Sequence, residues 1–124
     1  MATIKSYTNL EQSRKLEEIL SLKSADMYYP NRTDIKYQGA LPIEYKHGKH
    51  LLSQEIAAWS LAALLKYLNE IKSQVYTPIL FPSEGKWILQ FVEYGHGNVC
   101  EVCDSDPIDA CVKMIEYLHE LKVL

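Results

Sequence analysis

The chain has 124 residues, 48% of them hydrophobic and 23% charged, and thirteen basic against sixteen acidic side chains leave a formal charge of −3. That length and balance fit one globular domain with its own core; they exclude a disordered chain and a global field drawing the protein to nucleic acid or an anionic membrane. No apolar run approaches the ~20 residues that span a bilayer, the opening residues lack a signal-peptide core, and an odd cysteine count gives no disulfide framework, so a cytoplasmic protein is expected.

Thr8 and Glu11 have the spacing of a capping box. Leu10, Leu16, Ile19 and Leu20 follow as an apolar stripe, with Glu11, Arg14, Lys15, Glu17 and Glu18 on other faces. A first helix is therefore predicted over residues 9–22. Ser24, Ala25 and Asp26 read as a turn, and Met27, Tyr28 and Tyr29 as a short strand. Past a turn cluster at residues 30–34, Ile35, Tyr37, Leu41, Ile43 and Tyr45 alternate with polar positions, except near Gly39. This period of two predicts a half-buried antiparallel strand over 35–45, bent or bulged at Gly39. Pro42 places it at a sheet edge. A polar loop around Gly48 follows.

A second helix is predicted to begin after Ser60 as its N-cap, with Leu61, Leu64, Leu65, Leu68 and Ile71 as its stripe. Residues 54–58 also have good helix propensity, which leaves open an earlier start capped by Ser53. Next come a strand over residues 75–81 interrupted by Pro78, a hairpin turn at 83–86, and the strongest strand pattern in the chain over 87–94. A turn at 95–98 leads to a short strand over 99–103. Asp106 caps the last helix, with Pro107 at its first position and Asp109 in its first turn. Its stripe is Ile108, Cys111, Met114, Ile115, Leu118 and Leu121. The expected fold class is α+β in a single domain over residues 1–124: three helices packed on a mostly antiparallel sheet of about four to five strands.

Four blocks carry a family resemblance: Trp59-Ser60-Leu61-x-Ala63-Leu64-Leu65, the opening Thr8-Asn9-Leu10-Glu11-Gln12-Ser13, the turn Ser24-Ala25-Asp26-Met27, and Pro107-Ile108-Asp109-Ala110 with Met114. They resemble a family of short uncharacterised proteins from gut Bacteroidales genomes, often found in mobile-element or prophage regions. That family usually ends its middle helix with Leu-Pro, where this chain has Leu68-Asn69. The resemblance implies the architecture and a mobile-element or prophage origin, and it brings no catalytic residue.

Residues of metal-ligand type gather at His96, Cys100 and Cys103, with Asp104 and Cys111 nearby. Cys-x-x-Cys is half of a zinc site when a tight turn converges the sulfurs. On a strand, residues three apart point to opposite faces, so Cys100 and Cys103 should diverge. No metal or cofactor is expected, and a metal- or thiol-dependent site at His96, Cys100 and Cys103 stands as the alternative reading. A third is nucleic-acid contact through the basic loop of Lys46, His47, Lys49 and His50, which the net charge does not favour. Capping and dipole complementarity account for Asp106 and Asp109. No phosphate-binding glycine loop or nucleophile elbow appears, and no catalytic residue is assigned.

Trp59 and Trp87 are expected in the core, Trp87 sharing a strand face with Leu89 and Phe91. The other face of that strand carries Ile88, Val92 and Tyr94, broken only by Gln90. A sheet packed on one side should be polar on the other. The first helix could cover this face, or a second copy of the chain across a two-fold axis. Nine tyrosines against two phenylalanines suit such an interface. The leading expectation is a non-enzymatic accessory protein acting through protein contacts, a homodimer among them, with Ile88, Val92 and Tyr94 as the interface.

Overall fold

The computed structural model describes residues 5–30, 39–43, 51, 55–70, 76–93, 95 and 97–121. The elements, in chain order, are α1 (Leu10–Ile19), a 3₁₀ turn (Leu22–Ser24), β1 (Met27–Tyr29), β2 (Leu41–Pro42), β3 (Ile56–Ala58), α2 (Leu61–Glu70), β4 (Tyr76–Ser83), β5 (Lys86–Glu93), β6 (Gly97–Asp104) and α3 (Pro107–Glu120). The class is α+β, with three helices among the described residues. The strands form two three-stranded antiparallel sheets, ordered β2-β1-β3 and β4-β5-β6, rather than the one sheet expected.

The cap of α1 lies one residue later than the sequence suggested. Asn9 Oδ1 accepts from the Gln12 amide at 2.8 Å, and Gln12 Oε1 accepts from the Asn9 amide at 3.0 Å. Thr8 is fully buried and committed elsewhere: its hydroxyl accepts from the Trp59 amide and bonds the Ser13 hydroxyl. A side chain tied to Trp59 and to Ser13 in the interior is not free to close a capping box. The helix also ends early. Leu20 is already extended, and its side chain turns into the core. Leu10 and Leu22, at the ends of the expected helix, are exposed.

Residues Ile56–Ala58 form β3, paired with β1 from Met27↔Ala58 to Tyr29↔Ile56. The strand pairing overrides their helix propensity and settles the start of α2 at Ser60, whose hydroxyl accepts from the Ala63 amide at 3.2 Å. The outer edge of β3 is closed. Glu17 Oε1 accepts from the Ala57 amide at 2.9 Å, and Thr8 donates its amide to the Trp59 carbonyl at 2.9 Å. Of the strand expected over 35–45, the described part is the edge strand β2, with Pro42 at its end; Ile35, Tyr37 and Tyr45 lie outside the described residues. Gly39 does mark a bend. A Cβ there would sit 2.7 Å from the Tyr7 hydroxyl, so a larger residue would require the Tyr7 ring to shift.

The β4–β5 hairpin closes through Glu84 and Gly85, with φ of 49° and 79°. Two successive positive values define a type I′ turn, whose twist suits a two-residue hairpin. The turn makes Ser83 and Lys86 the bonded pair, and alternation along the register follows from it. Pro78 and Pro82 then fall at positions whose amides would face away from β5. Neither costs the ladder a bond, and both remove donors from the outer edge of β4. At the other edge, Lys113 Nζ donates to the Cys103 carbonyl of β6 at 2.8 Å.

Helices α2 and α3 pack on each other; α2 lies on β4, and α3 on β5 and β6. Leu89 and Phe91 of β5 meet Ile108, Cys111, Met114, Ile115 and Leu118 of α3 in one buried cluster, joined by Leu64 and Leu68 of α2. Leu16 and Leu20 bring α1 to the same cluster, and Trp59 is fully buried in it. Besides Leu10, two expected core residues stand apart. Leu121 is exposed just beyond α3, and Trp87 is half-buried at the hairpin end, paired with Pro82 outside the cluster.

Candidate functional site

The register sorts the meander sheet into two faces. Directly paired residues share a side. Leu80, Leu89 and Val102 face α2 and α3, as do Phe91 and Cys100. The opposite side carries Thr77 beside Val92, Ile79 beside Gln90, and Phe81 beside Ile88, with Glu101 and Cys103 on β6. Ile79 is 41% exposed, and Phe81, Ile88 and Val92 are half-buried; none of the four belongs to the buried cluster or packs against it.

Helix α1, the sequence's candidate cover for this side, packs instead on β3 and α3. The Glu17 bond to β3 and the Gln12 bond to Asp109 of α3 hold it there. Among the described residues, the second face therefore has strands but no helix over it. Its apolar part is the β4–β5 half. The β5–β6 half is polar, with Gln90 donating to Glu101 at 2.7 Å. Ile88 and Val92 thus lie where the sequence placed them, and Tyr94 lies outside the described residues. Ile79 and Phe81 were missed. The proline-interrupted strand around them concealed an alternation that the hairpin register reveals.

Cys100 and Cys103 diverge. Cys100 is half-buried on the helix side, its thiol 3.4 Å from Met114 Sδ, and burial raises its pKa. Cys103 is exposed on the opposite side, paired with Ile88. Cys111 is buried on α3, where desolvation and then the Asp106 charge push its thiol up to about 12. A raised pKa disfavours the thiolate that nucleophilic or metal chemistry requires. His96 lies outside the described residues, as do Lys46, His47, Lys49 and His50. Among the described residues no group of three or more His, Cys, Asp and Glu could hold a metal ion.

The acidic residues before α3 are committed to structure. Asp106 is buried and accepts from the amides of Ile108, Asp109 and Lys5. Asp109 accepts from Lys5 Nζ and Gln12 Nε2, both at 2.6 Å. At Asp104, desolvation raises the carboxyl pKa. The Ser105 amide and Lys113, 3.3 Å away, outweigh it and hold the pKa below its ordinary value. These carboxylates anchor the segment before α1 and the start of α3.

No helix among the described residues is long and apolar enough to cross a membrane. No protein-family model, curated protein or solved structure matches the chain.

Proposed function

We propose that this chain is a non-enzymatic protein-interaction module of mobile-element or prophage origin, and that its contact surface is the second face of the β4-β5-β6 sheet. The observation that carries this reading is the group Ile79, Phe81, Ile88 and Val92, together on a face that α1, α2 and α3 leave uncovered. Leaving an aliphatic side chain exposed forgoes about 1.5–3 kcal/mol relative to full burial. Several on one face favour association, and the partner proposed is a second copy of the chain, face to face across a two-fold axis.

The test is Val92→Glu, with Ile79→Lys as a second variant at a more exposed position. Light scattering is expected to show a dimer for the parent chain and a monomer for each variant, with helical circular dichroism preserved. A monomeric parent, or variants with unchanged mass, would refute self-association. Unfolding of both variants would make the face part of the intrachain core.

A further inference from the structure

A groove of about 310 Å³ lies between the 3₁₀ turn and α2, lined by no residue of the meander sheet. Ala63, Lys66, Tyr67 and Glu70 recur at i, i+3, i+4 and i+7, so one face of α2 forms one wall. Ser21, Lys23 and Ser24 form the other. That second wall is fixed to the core. Ser24 Oγ accepts from the indole N–H of buried Trp59 at 2.9 Å and donates to the Ser21 carbonyl at 2.6 Å.

The groove reverses the sign of the molecule. In a chain of charge −3, it gathers two ammonium groups and three hydroxyls. Among the described residues neither Lys23 nor Lys66 makes an ion pair, although Glu70 stands one turn beyond Lys66. Burial raises the pKa of Tyr67, so its phenol remains a donor through the neutral range.

We propose that this groove binds a small phosphate monoester, its phosphate between Lys23 and Lys66 with Ser21 and Tyr67 as hydroxyl donors, and its hydroxylated body toward Glu70. Lysine supplies the point charge that a phosphate needs. The Glu70 carboxylate accepts from a ligand hydroxyl and repels a second anionic group. The volume stands at the lower end of ligand pockets, which suits a phosphate on a few carbons.

The probes are inorganic phosphate and glycerol phosphate, titrated into the full chain and followed by amide chemical shifts. Saturable shifts are expected at Ser24, Lys66 and Tyr67 with a Kd near about 1 mM, tighter for glycerol phosphate, and weaker at high salt. Lys23→Gln and Lys66→Gln, both at exposed positions, should each weaken binding by about two- to fivefold. Glu70→Gln should strengthen binding of inorganic phosphate and abolish the advantage of glycerol phosphate. Shifts still linear at about 20 mM, or affinity unchanged in the Lys23→Gln, Lys66→Gln double variant, would overturn the site. Equal affinity for the two probes in the parent chain would overturn the orientation toward Glu70.

Discussion

Trp59 joins three parts of the chain through three bonds. Its amide donates to the Thr8 hydroxyl, its carbonyl accepts from the Thr8 amide, and its indole donates to Ser24. The ring is also among the largest fully buried side chains. Trp59→Ala removes the ring and the indole bond, leaving the backbone bonds to Thr8. Truncation of a buried tryptophan costs about 3–5 kcal/mol, a large share of the stability of a domain this size. Calorimetry should show a melting temperature lower by about ten degrees or more, and a parent-like transition would place the ring outside the core. Tyr29 supplies a second test at this scale. Its hydroxyl donates to the Thr8 carbonyl at 2.7 Å, and its ring meets Tyr7 edge-on, centroids 6.1 Å apart. Desolvation, then repulsion from Tyr7, raises its pKa to about 12. Because the folded value lies above the unfolded one, the neutral phenol's contribution is complete below pH 10 and is lost as pH rises from there toward 12. Cys111, raised in the same direction, adds to that alkaline loss. Urea midpoints measured across this range should therefore fall less steeply in Tyr29→Phe than in the parent chain.

Among the elements, α3 was the most legible, because cap, proline and stripe occur together in one stretch. Asp106, Pro107 and Ile108 occupy the positions expected of them. No local pattern signals that Asp106 also accepts the Lys5 amide, a contact spanning nearly the whole chain. Asp106→Ala would leave three amides without this acceptor, so its cost should exceed the usual ~1 kcal/mol of a lost cap, reaching about 2 kcal/mol by urea denaturation. Asp106→Asn, which keeps a carbonyl oxygen for Ile108 and Asp109, should recover most of it. The start of α1 was less legible, since Thr8 and Asn9 are both good caps and only burial against Trp59 decides between them. Ile56–Ala58 was least legible. Its residues form helices readily, and its strand conformation rests on pairing with β1, more than twenty-five residues earlier.

For the molecule as a whole, the α+β class could be read from periodicity alone, whereas the division into two sheets could not. Strand patterns identify which residues face a core, but not which strand lies beside which. The split follows from β3 pairing with β1 while, among the described residues, the β4–β5–β6 meander pairs only within itself. The alternation in residues 87–94 likewise identified Ile88 and Val92 as a second apolar face. What lay over that face depended on where α1 packed, a tertiary choice fixed by Glu17 and Gln12. The groove beside Lys23 and Lys66 was invisible for the same reason, since its two walls come from segments forty residues apart that Trp59 ties together.

The prolines of β4 have a consequence for assembly. Pro78 and Pro82 take two donors from one rim of the meander, while β6, on the opposite rim, contains no proline and keeps a peptide N–H at every position. Such a ribbon has one end that can be extended and one that resists extension. If two copies joined through β6, both outward rims would be β4. The pair would be a finished object rather than the seed of a fibre, and the meander would act as its own chain terminator.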